Sequence, residues 1–555
     1  MLRTTLFVLL SSIGCDHAHA VAPDAGSPDA TLDAASSGIG APCTAANPFE
    51  QGTCADGQQC ASESLGFPGG ACTEPCDTTA CPSDAVCAAI GGSHYCGVPC
   101  GSDTDCRTPD YRCQPAPEDT TLAVCLPTTY YGSPTPGTNG GRACVAPIAS
   151  PPGQGRLFGA DIQVSDNTTS AECELAVDAS SGHVVVAYIA IGGTAARIGV
   201  ASSADDGATF ATPQLLPADN TVDTNKFQSD PVVAVAPNGT FYVAWIGFDD
   251  GSTNMRVWGA RSSDGGTTWQ VFAISNANEW SSATPLDKPW LAASPMDGSL
   301  SVTWTRVVGA TSDIRYTRSA DGGATWSPAA TISDTSTRPS EVRGLAQVAY
   351  RADGKPFVVW GEAGGDPNGS TANQAYLQRM NADGTRSGAN VLVTGGGDAP
   401  AADDPSIAIR GNDVYVGFVS GAAIGGWDIR VAASSDGGAT FAPSVKVNSD
   451  ATCATHLHHQ LAIDGNGAVH AIWYDNRYLT GNVFHAAAPT GSALAFGANT
   501  FVNDTAFGFA TWRNQPSWLG DYLGFAIVGQ TMYAAWTDPR DAQASHIRFT
   551  KGTAP

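Results

Sequence analysis

The chain has 555 residues, of which 14% are charged, and it is rich in Gly (63) and Pro (35). This composition disfavours long solvated helices and coiled coils, while 13 Trp and 42% hydrophobic residues exclude global disorder. Acidic residues outnumber basic ones by 52 to 27, and the net charge of −25 argues against nucleic acid or anionic membrane surfaces as partners. The charge leaves cations, neutral glycans and other proteins open as binding partners.

Residues 1–20 have the pattern of an export signal, in which one cation, Arg3, precedes an apolar run too short to span a bilayer. Two processing routes are open. Gly14-Cys15 resembles the end of a bacterial lipobox, which would lipidate Cys15, whereas Ala-His-Ala at 18–20 is a cleavage site for free secretion. The Pro-, Asp- and Ala-rich tether over 21–40 favours a lipoprotein on a bacterial outer membrane or cell surface.

Cysteine spacing marks residues 41–127 as a separate region. Each set of four Cys is too small for a hydrophobic core, so we predict three tandem modules with two disulfides each, formed in an oxidising compartment. The spacing leaves the connectivity within a set open, and zinc binding is the alternative, disfavoured by the export signal. The three sets are Cys43, Cys54, Cys60 and Cys72; Cys76, Cys81, Cys87 and Cys96; and Cys100, Cys106, Cys113 and Cys125.

Residues 128–154 form a Pro- and Gly-rich linker that contains Cys144, and residues 155–555 form a repeat array. The repeated element is a pair of alternating apolar runs around a Gly turn, as in PVVAVAPNGTFYVAW, and it predicts a β-hairpin. An aromatic closes each element at intervals of 55–63 residues: Tyr188, Trp245, Trp304, Trp360, Phe418, Trp473 and Trp536.

A second motif, S-x-D-x-G-x-x-[WF], follows the hairpin at a fixed offset. It begins at Ser203, Ser262, Ser319 and Ser434, and a decayed copy surrounds Asp383-Gly384. Its Ser and Asp side chains can bond turn amides, its Gly supplies positive φ, and its aromatic anchors the turn. Each unit therefore has two hairpins, and a four-stranded sheet repeated radially is a propeller blade.

The number of units predicts an all-β, seven-bladed propeller, with six blades as the alternative. Residues 156–167 resemble the outer strands that follow the second motif, whereas the last unit ends one strand short. We therefore expect the N-terminal strand to complete the last blade and close the ring, which removes an open sheet edge. A solenoid with free ends is the alternative.

These motifs are Asp boxes, and residues 155–555 resemble the BNR/Asp-box propellers related to bacterial exo-sialidases. The resemblance implies a ligand site on the face opposite the Asp boxes. The resembling enzymes have six blades, whereas seven units are counted here. Since Asp boxes also occur in many non-enzymes, the resemblance predicts the scaffold rather than the activity.

The innermost strand of each blade should start at the ligand-binding face, beside the axis. A ring of acids at these starts predicts a polar-ligand site, and its carboxylates could hold a hard cation such as Ca²⁺, although no cofactor is certain. The alternative is that the acids cap strands and pair with arginines. The aligned mouth positions are Glu172, Asp230, Lys288, Leu345, Asp404, His458 and Asp521, and Asp287, Asp475 and Asp538 are expected beside them.

The resemblance also implies a test for sialidase chemistry, which uses three Arg, a Tyr nucleophile with a Glu, and an Asp acid/base. The family's early F/Y-R-I-P motif has no match in this sequence. Arg343, Arg477 and Arg540 as a substitute triad, with Tyr522 and Glu341 as nucleophile and base, match in residue type only. Alternatively, the two W-x-D-x-R sequences are local Asp–Arg bridges and Tyr522 fills the funnel wall.

Two further features are ambiguous. The H-x-H-H sequence of His456, His458 and His459 could be a metal-hydrolase site or could make ordinary hydrogen bonds. Cys173 and Cys453 both precede inner strands and could form a staple, with one of Cys144, Cys173 and Cys453 left unpaired.

We therefore expect an exported, surface-anchored monomer whose propeller binds a glycan or a protein, and which touches a membrane only through its lipid anchor. The alternative is an exo-α-sialidase or related glycoside hydrolase that uses the central funnel.

Overall fold

The computed structural model describes the Cys-rich region and most of the repeat array. The predicted signal, tether and second linker, with Cys15 and Cys144, lie outside the described residues, as do Glu341 and Cys453. The described residues are 38–44, 51–61, 67, 69–76, 80–90, 93–102, 105–107, 111–115, 123–127, 156–166, 169–192, 195–216, 223, 225–309, 311–334, 342–363, 374–395, 403–421, 427–450, 454, 456–478, 480–489, 494–507, 519–541 and 544–555.

The Cys-rich region consists of three short antiparallel hairpins. Their strands are Gln59–Ala61 with Ala71–Thr73, Val86–Ile90 with Ser93–Gly97, and Tyr111–Pro115 with Ala123–Pro127. In every set the first Cys pairs with the third and the second with the fourth, which confirms two disulfides per module. The bridges are Cys43–Cys60, Cys54–Cys72, Cys76–Cys87, Cys81–Cys96, Cys100–Cys113 and Cys106–Cys125.

The modules also share one small core. Phe67 of the first module is buried with Tyr111 and Leu126 of the third. The amide of Cys96 donates to the Glu74 carbonyl at 2.8 Å, and the amide of Cys125 donates to the Val98 carbonyl at 2.9 Å. The three modules therefore form one stack rather than independent beads.

The described part of the repeat array consists of five four-stranded antiparallel sheets and one eight-stranded sheet. The eight-stranded sheet contains two four-stranded units, here blades 1 and 2, which the parallel pair of Ala196 with Phe227 joins. The strands are, for blade 1, Thr169–Val177, Val184–Gly192, Ala195–Ser203 and Gln214–Leu216; blade 2, Phe227–Val235, Phe241–Asp249, Thr253–Ser262 and Gln270–Ala273; blade 3, Leu286–Ala293, Leu300–Val308, Thr311–Ser319 and Ala330–Thr331; blade 4, Val342–Tyr350, Pro356–Ala363, Gln374–Arg379 and Val391–Leu392; blade 5, Asp403–Arg410, Asp413–Gly421, Trp427–Ser434 and Val445–Lys446; blade 6, His456–Ile463, Val469–Asp475, Asn482–Ala488 and Thr500–Phe501; and blade 7, Gly524–Val528, Thr531–Asp541, Ala544–Thr553 and Ile162–Gln163. A 3₁₀ turn, Ala277–Glu279, precedes blade 3.

The units close into a ring. Their first strands touch one another in sequence around the circle, including the contact of blade 7 with blade 1. The N-terminal strand completes blade 7 as predicted, with Ile162 opposite Phe549 and Gln163 opposite Arg548. These contacts rule out the solenoid, because the first and last units meet. None of the described residues forms a helix long and apolar enough to cross a membrane.

The core lies between blades and is built on the closing aromatics. Trp245, Trp304, Trp360, Trp473 and Trp536 are all fully buried, as are Tyr188 and Phe418. Each large ring lies on a second strand, whose alternate side chains also face a neighbouring blade. Burying one such side chain stabilises the fold by several times the thermal energy, so the repeat spacing and the ring geometry are coupled.

The Asp boxes form the turns of the second hairpins, as predicted. In blade 1 the Ser203 hydroxyl donates to Asp205 Oδ1 at 2.7 Å and accepts from the Gly207 amide at 2.9 Å. The Thr209 amide donates to Asp205 Oδ1 at 2.8 Å, and these hydrogen bonds lower the pKa of Asp205 to about 2. The boxes at Ser262, Ser319 and Ser434 repeat the pattern.

Each box also packs on the preceding blade. Gly207 has φ +74°, and a Cβ there would lie 2.6 Å from the Phe549 ring of blade 7. Gly323 of the blade 3 box, at φ +85°, would likewise meet Phe272 of blade 2 at 2.8 Å. The motif therefore fixes both a turn and a blade-to-blade contact.

Candidate functional site

The predicted mouth positions share an unusual backbone conformation. Five of the seven lie at a β-bulge where the first strand of the blade slips register against the second, and all five have positive φ. Positive φ is rare for residues with a Cβ, so its recurrence confirms that these positions are equivalent. The values are 54° at Glu172, 55° at Asp230, 47° at Lys288, 54° at Leu345 and 51° at His458.

The two other mouth positions are described in part. Asp521 precedes the first strand of blade 7 and follows Gly520, whose φ is +84°. Asp404 lies in the first strand of blade 5 beside the register shift between Asp403 and Ser406, and the position of its side chain is not described.

Four mouth side chains meet on the propeller axis. Lys288 Nζ lies 3.0 Å from Glu172 Oε1, 2.5 Å from Asp230 Oδ1 and 2.5 Å from Asp521 Oδ2. The ammonium of blade 3 thus binds carboxylates of blades 1, 2 and 7. Asp287 is buried next to it and accepts a hydrogen bond from the Lys288 amide at 2.9 Å. We call these five residues the axial cluster.

Burial dominates the electrostatics of the axial cluster. Glu172 and Asp230 are fully buried, and the side chain of Lys288 is 14% exposed. Burial raises the pKa of Glu172 well above its usual range, against the opposing effect of Lys288. Burial alone would lower the pKa of Lys288, but the facing carboxylates of Asp230, Asp521 and Glu172 raise it well above its usual range. The centre of the mouth therefore holds a permanent ammonium.

Tyr522 is buried beside the axial cluster. Its hydroxyl donates to the Pro231 carbonyl of blade 2 at 2.9 Å, and its ring packs edge-to-face on Trp290 of blade 3 with centroids 5.6 Å apart. Burial raises the pKa of Tyr522 well above its usual range. These contacts are those of the alternative interpretation, a side chain that fills the funnel wall, and the catalytic role stays a prediction. Its predicted partner Glu341 lies outside the described residues.

Arg477 and Arg540 form local bridges. Arg477 Nε donates to Asp475 Oδ2 at 2.9 Å, and the indole N–H of Trp473 donates to the same oxygen at 2.9 Å. Arg540 repeats this in blade 7, where Asp538 Oδ2 accepts from its NH2 at 2.7 Å. Asp475 and Asp538, the acids predicted as ligand-binding groups, are fully buried in these bridges.

Arg343 is engaged in the same manner. Its Nε donates to Glu362 Oε1 of the same blade at 2.9 Å, and Trp360 donates to that oxygen as well at 2.9 Å. The three arginines predicted as a substitute triad therefore lie in blades 4, 6 and 7, each held by a carboxylate of its own blade. The structure thus shows a carboxylate partner for every guanidinium, and the triad stays a prediction.

The histidines of the H-x-H-H sequence have different surroundings. His456 Nε2 lies 3.1 Å from Asp450 Oδ1 and 3.2 Å from Asp475 Oδ2. His458 packs edge-to-face on Tyr474, whereas His459 is buried against Gly417. Among the described residues, the only groups of three candidate ligands close enough to share an ion are disulfide-bonded cysteines. The described acids and histidines thus do not form the predicted Ca²⁺ site or a metal-hydrolase site.

A small cavity adjoins the axial cluster. Trp290, Leu345, Gln347 and Pro405 line it together with Pro289, Ala346, His459, Tyr522, Lys288 and Asp521. Farther along the axis, Gln460 Nε2 of blade 6 reaches Glu174 Oε2 of blade 1 at 3.4 Å, and burial raises the pKa of Glu174 to about 8. Trp290 and Glu174 are absent from the predicted site residues. Each lies two residues after a mouth position, so the repeat alignment could have identified both. The described free cysteine, Cys173, is buried in the core between blades 7 and 1.

Comparison with known proteins supports the repeat assignment. Residues 160–364 match the model of the BNR repeat-like domain family. No curated protein sequence matches the chain. Solved structures with a similar fold include an α-L-arabinofuranosidase of Fusarium graminearum (13% identity over 60% of this chain and 98% of that one, TM-score 0.45) and an α-L-arabinanase of Penicillium chrysogenum (12%, 74% and 99%, 0.41). An ulvan lyase is a third (12%, 70% and 95%, 0.46).

At such identities and scores the likeness says nothing about the reaction or ligand of this chain. The family match, the four Asp boxes and the closed ring of four-stranded sheets agree with one another. Residues 160–364 thus match the BNR repeat-like domain family, within a closed propeller of Asp-box repeats.

Proposed function

We propose that this chain is an exported, surface-anchored binding protein whose propeller holds a glycan at the axial mouth without cleaving it. The observation that carries the proposal is the convergence of charged side chains from blades 1, 2, 3 and 7 on one point of the axis. A cavity with an aromatic wall adjoins that point, and such a mixture of polar and aromatic lining suits a sugar ring.

The contacts of the predicted catalytic groups favour binding over hydrolysis. A sialidase needs free guanidinium groups to hold the substrate carboxylate, whereas Arg343, Arg477 and Arg540 are bound by Glu362, Asp475 and Asp538. It also needs an activated tyrosine, whereas Tyr522 donates to a backbone carbonyl. The axial acids would moreover repel an anionic sugar.

Export is supported by sequence and by covalent structure together. Residues 1–20 carry the pattern of an export signal with Cys15 at a lipobox-like position. The six disulfides of the Cys-rich region require an oxidising compartment, outside the cytosol. Replacing Cys15 by Ser tests the anchor: we expect the chain to move from the membrane fraction to the medium, and retention in the membrane would contradict lipidation.

Binding and turnover can be separated with the purified full chain. We expect retention of defined oligosaccharides on a glycan array and no release of fluorophore from a fluorogenic sialoside. Turnover that disappears in Arg343→Ala or Tyr522→Phe, with unchanged thermal unfolding, would replace this proposal by the sialidase alternative. Absence of binding to every glycan, with no turnover, would point to a protein ligand instead.

A further inference from the structure

The axial cluster places four acidic groups around one lysine. Glu172, Asp230, Asp287 and Asp521 supply four carboxyl groups against the single ammonium of Lys288, and all four acids are buried. Burial raises the pKa of Glu172 well above its usual range and that of Asp287 to about 7, because a buried carboxylate is costly away from water. A further positive group from outside would stabilise the ionised form of these acids.

Two of these carboxyl groups bind Lys288 through one oxygen only. Glu172 Oε2 and Asp230 Oδ2 are completely buried and have no hydrogen-bond partner among the described residues, although their other oxygens bind Lys288. A buried oxygen without a donor is costly, and the same cluster already coordinates one ammonium. Glu172 and Asp230 lie behind Lys288 and Asp521 in the contact network, and the latter two line the neighbouring cavity.

The cavity beside the axial cluster indicates what kind of molecule would carry the positive group. Trp290, which is partly exposed, and Tyr522 form an aromatic wall beside Lys288 and Asp521. Gln347 adds an amide on another side of the same cavity. An aromatic face packs against the C–H face of a sugar ring, while nearby carboxylates can accept hydrogen bonds from an ammonium on that ring.

We propose that the axial cavity binds a sugar residue that carries a primary ammonium, such as the glucosamine unit of a deacetylated glycan. This inference rests on the proposed glycan-binding function and specifies its ligand class. In the bound state the ring lies on Trp290 and the ammonium lies beside Asp521, the acid of the axial cluster that lines the cavity. A metal ion is a weaker candidate, because no three described carboxylates are close enough to share one.

The test compares two oligosaccharides that differ in whether their amino groups are free and charged or acetylated and neutral. Isothermal titration of the full chain at pH 5.5 uses glucosamine tetramer and N-acetylglucosamine tetramer as probes. We expect at least tenfold tighter binding of the glucosamine tetramer, since each hydrogen bond to a charged group contributes about tenfold in affinity. Raising NaCl from 50 to 500 mM should weaken the binding of the glucosamine tetramer more than that of the acetylated tetramer, because salt screens the attraction between charges.

Variants locate the effect. Asp521→Asn should lower the affinity for glucosamine tetramer about tenfold and leave the weaker binding of the acetylated tetramer unchanged. Asp353→Asn is the matched control, because Asp353 lies in the turn between the first and second strands of blade 4, is 40% exposed and pairs with Lys355 at 3.0 Å. If Asp521→Asn does not fold, as thermal unfolding would show, the salt dependence on the unaltered chain decides.

The outcomes separate this inference from the proposed function. Equal binding of both tetramers, or preference for the acetylated one, overturns the inference and leaves glycan binding intact. Binding of a tetralysine peptide but of neither sugar overturns both and identifies a basic protein as the ligand. No binding of any glycan removes the proposed function itself.

Discussion

The Cys-rich region is stabilised mainly by disulfides, whereas the propeller is stabilised by a buried aromatic core. The Cys-rich region ties about 85 residues with six disulfides around a core of a few side chains. The propeller buries a large aromatic in every blade, and its described part contains no disulfide. Module size decides between them, because a unit that cannot bury a core must restrict its unfolded state covalently.

The largest expected effect breaks the first region alone. Replacing Cys43 and Cys60 together by Ser removes one bridge without leaving a free thiol, and each lost bridge costs about 2–5 kcal/mol. Limited proteolysis should then cut within residues 38–127 while the propeller fragment survives. Loss of the propeller at the same protease concentration would show that its stability depends on the modules.

A buried charge network tests the propeller next. Burial alone would lower the pKa of His456, but the carboxylates of Asp475 and Asp450 raise it to about 10. Because the pKa of His456 is higher in the folded state, its protonation stabilises that state. This stabilisation is complete below the ordinary His pKa of about 6.5 and is lost as the pH rises toward 10. His456→Gln should therefore lower the free energy of unfolding by about 3–5 kcal/mol at pH 6 and by much less at pH 10.

The control for this network is His183→Gln, at a partly exposed turn of blade 1. Urea unfolding of both variants and the parent chain, at pH 6 and pH 10, gives the comparison. A deficit of His456→Gln that is the same at both pH values would contradict a stabilising imidazolium.

A matched pair of tryptophans sharpens the account of the aromatic core. Trp473 donates its indole N–H to Asp475 at 2.9 Å, whereas that of Trp304 has no partner among the described residues. Both rings are fully buried, so replacement by Phe removes similar volume. We expect Trp473→Phe to destabilise the chain by about 2 kcal/mol more than Trp304→Phe in urea unfolding. Equal losses would mean that volume alone matters.

The smallest expected effect concerns the Asp-box glycines. Gly323 and Gly251 both have positive φ, but only at Gly323 would a Cβ meet a neighbour, the Phe272 ring at 2.8 Å. Gly251→Ala should cost about 1 kcal/mol through its backbone. Gly323→Ala should cost a further 1–2 kcal/mol or so through overpacking between blades 2 and 3, measured as a lower unfolding midpoint. Equal costs would contradict the packing role.

The fold could be predicted from the sequence because the patterns that specify it lie within short stretches of the chain. The alternation around PVVAVAPNGTFYVAW and the Asp box at Ser203 lie within one blade, and hydrogen bonds in the box span two to four residues. The equivalence of Glu172, Asp230 and Lys288 also followed from the repeat spacing alone. The Asp–Arg bridges of the W-x-D-x-R sequences are local too, and they form as the alternative interpretation predicts.

The site was harder to predict because its contacts are not local. Arg343, Arg477 and Arg540 match a triad in residue type, but type does not reveal that each already has a carboxylate partner in its own blade. Tyr522 meets the Pro231 carbonyl 291 residues away in sequence, so its role as a filler could not be read from its neighbours. The cavity beside Trp290 likewise requires five blades to be in place.

By itself the sequence determined the repeated four-stranded unit, the closing strand and the modules with paired disulfides, since each depends on periodicity or spacing within a short stretch. Only the tertiary structure decided which charges meet at the axis. Lys288 finds Asp230 and Glu172 across 58 and 116 residues, and ring closure sets that proximity. Electrostatic attraction acts over a few ångströms of space, and distance along the chain does not encode it.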